Sequence, residues 1–132
     1  MDSNFRIATE IKTDQASWGN SRWVSNPVST GARQLTFLDA MLAPGQAHSF
    51  HKHTSQEEVM YVVAGEVEQW VDREARVLGA GDAAFIPAGM VHATFNIGKA
   101  AAHLLVVFSP CVGDGFEVID VSSEAPWKEL RN

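Results

Sequence analysis

The chain has 132 residues, of which 45% are apolar and 20% are charged, and its formal net charge at pH 7 is −6. This length and composition are typical of one globular domain that buries its own core. The acidic balance argues against nucleic acid or an anionic membrane as a partner. The longest apolar run, residues 104–108, is far too short to span a bilayer.

The cysteine content and the first residues indicate the compartment. Cys111 is the only cysteine, which excludes an internal disulfide and fits a reducing cytoplasm. Residues 1–6 lack the apolar core of a signal peptide. We therefore expect a cytoplasmic protein.

The amino-terminal third is predicted to form strands. Residues 1–30 are polar without a clear period, and Trp18 and Trp23 lie among turn-forming residues, which indicates short strands and loops with aromatic anchors. From Arg33 to Leu42, apolar side chains occur on both parities, a pattern typical of a strand buried between two layers. Pro44 and Gly45 then predict a turn.

Four residues further along the chain carry the chemistry. His51 and His53 are separated by one residue, and side chains two apart in a β-strand lie on the same face. Glu58 follows shortly afterwards, and His92 comes later. Three imidazoles and one carboxylate form a ligand set of the kind that binds a divalent metal ion.

The rest of the chain predicts further short elements. They are, in chain order, a strand at Glu66–Val71, an exposed hairpin tip at 72–76 returning through 77–78, strands at Ala83–Ile86, Ala101–Ser109 and Phe116–Val121, and one helical turn within 124–130. Many short strands with glycine and proline turns, and almost no helical period, indicate a sandwich or barrel.

Glycines, a proline and an asparagine stand at fixed spacings around the four residues. Residues 45–65 fit the pattern G-x5-H-x-H-x4-E-x6-G, and residues 81–96 fit G-x5-P-x-G-x2-H-x3-N. These patterns resemble the two conserved motifs of the cupin superfamily, with every defined position filled. The two motifs and their spacer cover 52 of the 132 residues.

The resemblance implies a small, single-domain, RmlC-like cupin. The expected fold is all-β, a double-stranded β-helix (jelly-roll) barrel over residues 1–132, with amino-terminal strands in 1–42 and the motifs at 45–65 and 81–96. One divalent ion per chain is expected inside the barrel: iron, manganese, zinc, nickel or cobalt. Its implied ligands are His51, His53, Glu58 and His92. Cupins of this kind commonly form homodimers.

Strand parity raises an alternative for the carboxylate ligand. The segment 58–63 is β-branched and aromatic, and therefore strand-forming. If the chain ran straight on from His53, Glu57 would share the histidine face. A bend or bulge within 54–56 would place Glu58 there instead. The cupin pattern and the gap to Gly65 favour Glu58.

Two functions remain open. The first is a metal-dependent enzyme acting on a small molecule, because four protein ligands leave two positions open on an ion that prefers six. In the resembled family such enzymes include dioxygenases, isomerases and decarboxylases, and a dioxygenase-like oxygenase or an isomerase is expected here. The second is a non-catalytic module that binds or senses a small molecule. The chain carries no helix-turn-helix for DNA.

No catalytic base is identified among the other polar residues. His103 is expected to be a surface or structurally satisfied histidine, and His48 to lie at the rim of the barrel. Gln69 either reaches a ligand or lies on an exposed face. Cys111 has no partner histidine and is expected to be structural.

The barrel interior is predicted to be largely apolar. This prediction rests on residues in or near the motifs that are expected to face inward: Met60, Val62, Phe85, Thr94, Leu105 and Val107. No arginine stands near the motifs to clamp a phosphate or a carboxylate, although Arg22 or Arg33 remains able to reach the barrel mouth. This disfavours phosphosugar and oxalate chemistry and favours a neutral or aromatic ligand.

Overall fold

Short alternating segments between glycine and proline turns form eleven strands in the computed structural model, which describes residues 4–131. In chain order the strands are β1 (Thr13–Ala16), β2 (Gly19–Ser25), β3 (Thr36–Leu42), β4 (Ala47–Lys52), β5 (Glu57–Ala64), β6 (Glu66–Val71), β7 (Glu74–Gly79), β8 (Ala83–Ile86), β9 (His92–Asn96), β10 (Ala102–Ser109) and β11 (Ile119–Asp120). The helical segments are a 3₁₀ turn at Ala8–Glu10 and short α-helices at Pro27–Thr30 and Trp127–Leu130. Residues 1–3 and 132, at the ends of the predicted domain, lie outside the described residues.

The strands form two antiparallel sheets. One has the order β1-β2-β3-β10-β5-β8, and the other has the order β11-β4-β9-β6-β7. Strands that are distant in sequence, such as β3 and β10 or β4 and β9, are neighbours in space. These crossings between two antiparallel sheets are those of a jelly-roll. The predicted all-β jelly-roll is therefore confirmed.

The core lies between the facing surfaces of the two sheets. On β3, Leu38 and Leu42 point inward and are buried, whereas Met41 on the other face is 38% exposed. On β10, Leu104 and Phe108 point inward in the same way. Only one face of β3 is fully buried, so the expectation that both faces would be covered is wrong.

The outer face of the five-stranded sheet is covered by the carboxy-terminal segment. Phe50 on β4 and Ala93 on β9 face outward there, and Val121 and Trp127 pack against them. This cover buries β4 from both sides, so Phe50 and its neighbour His51 are both almost inaccessible to solvent.

The outer face of the six-stranded sheet is open. Val59, Tyr61 and Phe85 lie on it with 44%, 43% and 54% of their surfaces exposed. Within the described residues no helix has both the length and the apolar character needed to cross a membrane.

The strand predicted at Phe116–Val121 is much shorter than expected. Only Ile119 and Asp120 pair with β4, and residues 110–118 form a loop closed by a bridge between Val112 and Gly115. The prediction fails because Phe116 is held against the core by stacking on Phe108, where it is partly buried, and not by strand pairing.

Candidate metal centre

Three histidines meet on the inner face of the five-stranded sheet. His51 on β4 is the cross-strand partner of His92, which begins β9. His53 directly follows β4, two residues after His51, and projects to the same side as predicted. One ring nitrogen from each histidine lies within 4.8 Å of the other two, and all three residues are buried.

Glu58 approaches this cluster from the opposite sheet. The chain turns at residues 54–55 before β5 begins, so the predicted bend is present. Oε1 of Glu58 lies 3.0 Å from Nε2 of His92 and 3.2 Å from Nε2 of His53. Glu57 is exposed on the other face of β5.

Backbone carbonyls fix the orientation of each imidazole. Nδ1 of His51 lies 2.6 Å from the carbonyl oxygen of Ser49, and Nδ1 of His92 lies 3.0 Å from that of Met90. Nδ1 of His53 lies 2.6 Å from the carbonyl oxygen of Glu117. A carbonyl oxygen can only accept, so each Nδ1 carries a proton. In its neutral form each ring therefore presents an unprotonated Nε2 atom to the cluster.

With neutral rings, the hydrogen-bond acceptors of the histidines and of Glu58 face one another without a donor between them. Nε2 of His53, Nε2 of His92 and Oε1 of Glu58 are buried without a hydrogen-bond partner, although their separations fall within hydrogen-bond range. Buried polar atoms in this state are costly unless a proton or a cation lies between them. One shared proton satisfies Glu58 and one histidine only. A divalent cation satisfies all the converging lone pairs, so these residues fit a metal ion.

The electrostatics of the cluster also favour a cation. Burial, together with the neighbouring His48 and His92, holds the pKa of His51 well below its usual value, so that ring is neutral at pH 7. Burial alone would raise the pKa of Glu58, but the close approach of His53 and His92 outweighs it and holds that pKa far below its usual range. Burial would lower the pKa of His92, but the close approach and charge of Glu58 raise it above its usual value. The cluster thus presents an ionised carboxylate and a neutral His51, and metal binding displaces any proton held by His92.

Two further aromatic rings extend the cluster towards solvent. The ring of His48 stacks on that of His51 with 3.6 Å between centroids and 6° between planes. Trp18, in the turn between β1 and β2, also stacks on His48, with 5.4 Å between ring centroids. Burial first, and then His92 and His53, lower the pKa of His48 to about 4. His48 is therefore a neutral member of a stack, half-buried at the edge of the site.

The four residues line a narrow inner cavity of about 40 Å³ between the sheets. Its remaining walls are mostly apolar and include Leu42, Met60, Leu104, Val106, Phe108 and Phe116. Among residues 4–131, no lysine or arginine lines it. An outer cavity of about 280 Å³ shares Trp18, His48 and His51 with it and adds polar groups such as Ser49 and Asp120. The stack of Trp18 on His48 therefore stands between the two cavities.

Part of the predicted interior is wrong. Met60 and Thr94 line the inner cavity as expected, but Leu104 and Val106 line it in place of Leu105 and Val107. Phe85 is more than half exposed on the outer face of the six-stranded sheet. The error arises because β10 has apolar residues on both parities, and the pattern does not say which face is inside.

The other polar candidates lie away from the cavity. His103 is bonded to Asp39 at 2.7 Å, as expected for a structurally satisfied histidine, and Arg22 contacts the same carboxylate at 3.5 Å. Gln69 neither reaches the cavity nor lies exposed. It is buried behind Thr94, whose hydroxyl donates to its side-chain oxygen.

Two residues that line the cavities, and one that lies outside them, carried no sequence signal for their positions. Phe116 lies in a loop remote from both motifs, and Trp18 lies in a polar turn. Gln56 stands inside the first motif at a position that the pattern leaves undefined, yet it is 1% exposed and fully hydrogen-bonded. Its burial is the kind of feature that only long-range contacts reveal.

Comparison with known proteins places this geometry in a family. The cupin domain family matches residues 38–108, which make up more than half of the chain and contain all four residues of the cluster. The chain belongs to the cupin family. The predicted membership is thus confirmed, and the cluster lies where this cupin's two motifs meet across the sandwich.

This cupin is similar to several curated proteins. It is 34% identical over 101 residues to polyketide synthase CurC of Streptomyces cyaneus, covering 76% of this chain and 66% of the relative. It is 32% identical over 114 residues to oxalate oxidase 1 of Hordeum vulgare, covering 80% of this chain and 51% of the relative. The chain therefore spans between half and two thirds of the length of these relatives.

A solved structure supports the same fold. An RmlC-like cupin from Shewanella frigidimarina superposes with a TM-score of 0.73 at 24% identity, covering 86% of this chain and 96% of that one. At this identity the likeness extends to the jelly-roll architecture.

Proposed function

We propose that this cupin is a metal-dependent enzyme, an oxygenase or an isomerase, that acts on a small uncharged molecule bearing two neighbouring oxygen atoms. The observation that carries the proposal is the set of converging lone pairs in a cavity with mostly apolar walls. The proposed ligands are His51, His53, Glu58 and His92. A divalent ion held there supplies Lewis-acid chemistry, and iron or manganese adds redox chemistry with dioxygen.

The chain's own residues would select and orient the substrate. The carboxylate of Glu58 partly neutralises the ion, and the apolar walls exclude water, which strengthens electrostatic contacts inside the cavity. No arginine or lysine of the described residues stands ready to bind a second negative charge. A compact dianion such as oxalate therefore meets no cationic side chain of residues 4–131 beside the ion, whereas a catechol or a β-diketone enters uncharged and needs none.

The size of the inner cavity limits what enters it. About 40 Å³ accommodates an ion with a few water-sized groups. We therefore propose that only the oxygen-bearing edge of the substrate enters and that the rest extends past Trp18 into the outer cavity. The similarity to a polyketide synthase protein of Streptomyces supports a substrate related to polyketides.

The scarcity of acids and bases in the inner cavity favours a second function, the non-catalytic binding of a small molecule. Apart from the four cluster residues, His48 is the only acid or base among the described residues that lines the inner cavity, and it is stacked and neutral. Proton-transfer chemistry needs such a group within reach of the substrate. A module that binds or senses a small molecule without turnover needs none.

One experiment separates these two functions. The iron- or manganese-loaded protein is mixed with catechols, flavonols, β-diketones and keto-sugars, while an oxygen electrode follows oxygen uptake and NMR follows isomerisation. We expect turnover of at least one class, lost in His92→Ala. Tight binding of ligands without turnover under any metal would contradict the enzyme and favour the binding module.

We also propose that the protein is a homodimer. The open face of the six-stranded sheet carries Val59, Tyr61 and Phe85, large apolar groups that a second copy would cover in an isologous pair. Light scattering at micromolar concentration is expected to give twice the chain mass of 14.4 kDa, and Tyr61→Lys is expected to lower it. A wild-type mass of one chain would rule the dimer out.

A further inference from the structure

We infer that Gln56 is a positioning residue for the metal centre and acts on His53 through the loop 110–117. The inference rests on the proposed metal site and adds a residue that touches neither the metal nor the cavity. It follows from one continuous series of hydrogen bonds that runs from the Gln56 amide to the His53 ring.

The first part of the series holds the loop. Nε2 of Gln56 donates to the carbonyl oxygen of Pro110 at 2.7 Å and to that of Gly115 at 2.9 Å. Its Oε1 accepts from the backbone N–H of Glu117 at 3.2 Å. Three hydrogen bonds from one buried amide all reach the same loop. Thr36 adds a fourth, because its hydroxyl donates to the carbonyl oxygen of Gly115 at 2.8 Å.

The second part of the series holds the imidazole. Glu117, whose N–H is bonded to Gln56, offers its own carbonyl oxygen to Nδ1 of His53 at 2.6 Å. Phe116, the preceding residue, packs its ring edge-on against His53 at 5.5 Å between centroids. The loop thus fixes both the ring plane of His53 and the nitrogen that carries its proton.

The orientation of His53 depends on a distant segment of the chain, whereas the other two histidines are held by their own segments. His51 and His92 bond the carbonyls of Ser49 and Met90, two residues earlier in their own segments. The partner of His53 is 64 residues away and stays in place only while the loop does. Groups that hold the outer nitrogen of a metal-binding imidazole typically change metal affinity by about 10–100-fold when they are removed.

The test compares two buried amides with matched roles. Gln56→Met keeps the length of the side chain and removes its hydrogen bonds to the loop. Asn96→Leu is the control, because the Asn96 amide also makes three backbone hydrogen bonds, to Leu42, Ala100 and Gly98, on a different segment. Zinc affinity is measured by chelator competition, and thermal unfolding is followed for both variants.

We expect zinc affinity to fall about 10–100-fold in Gln56→Met and much less in Asn96→Leu, even where both variants lose similar stability. In the metal-free wild type, ring ¹⁵N shifts are expected to report a proton on Nδ1 of His53. That preference should weaken in Gln56→Met only. This second readout does not require metal, so it separates failure of the inference from failure of the metal site.

Thr36→Val provides an independent variant, because it removes the contacts of the Thr36 hydroxyl with the carbonyl oxygen of Gly115 and with Sγ of Cys111, and it leaves Gln56 in place. It is expected to lower zinc affinity and to weaken the Nδ1 preference of His53, each by less than Gln56→Met does. An unchanged affinity and tautomer in folded Gln56→Met protein, or an equal loss in Asn96→Leu, would overturn the inference. If Gln56→Met does not fold, unchanged values in Thr36→Val would overturn it.

Discussion

Glu58→Gln is expected to lower divalent-metal affinity by about 100-fold or more, a larger loss than the 10–100-fold typical of groups that only support a ligand. The substitution keeps the shape of the side chain and removes the buried charge that faces His53 and His92. An amide also places a donor or a weaker acceptor where an anion stood. Isothermal titration with zinc or manganese measures the change.

The neighbouring carboxylate is the matched control. Glu57→Gln removes the same charge one residue earlier, on the exposed face of β5. Its metal affinity should match that of the wild type within about twofold, because an exposed charge is screened by solvent. A larger loss in Glu57→Gln than in Glu58→Gln would show that the geometry around the bend at 54–56 is wrong.

Gly65→Ala is expected to destabilise the protein by about 4 kcal/mol. Gly65 has a φ of 88°, and an added Cβ would lie 2.8 Å from the carbonyl oxygen of Ala101 and from Cα of Ala102. The left-handed conformation costs about 1–2 kcal/mol for a residue with a Cβ, and forcing an atom into packed backbone adds about 1–3 kcal/mol. Urea unfolding measures the loss.

Gly81→Ala separates these two contributions. Gly81 has a φ of 90°, but an added Cβ would meet nothing within 4 Å. Only the conformational cost applies, so we expect a loss of about 1–2 kcal/mol. Equal losses in the two variants would show that the close approach of the backbone at Gly65 does not matter.

Much of the architecture could be predicted because it depends on local signals. Turn residues marked the strand ends, and the period of two placed His51 and His53 on one face. The motif spacing identified His92, which lies 39 residues after His53 in sequence and meets it on the inner face of the same sheet. Polar residues at 54–56 gave a physical reason for the bend that brings Glu58 inward.

What could not be predicted depends on contacts between distant segments. Strand β10 carries apolar residues on both faces. Only the packing of the two sheets therefore decides that Leu104 lies inside and Leu105 outside. The loop that holds Phe116 is ordered by Gln56 and Thr36 from other parts of the chain. Neither residue has a neighbourhood in sequence that indicates such a role.

The ligand set is the central claim, and metal content tests it most directly. The protein is purified without chelator or nickel resin, and mass spectrometry of the metals is compared between the wild type and His51→Ala/His53→Ala. We predict close to one divalent ion per wild-type chain and almost none in the double variant. Equal metal content in the two proteins would contradict the assignment.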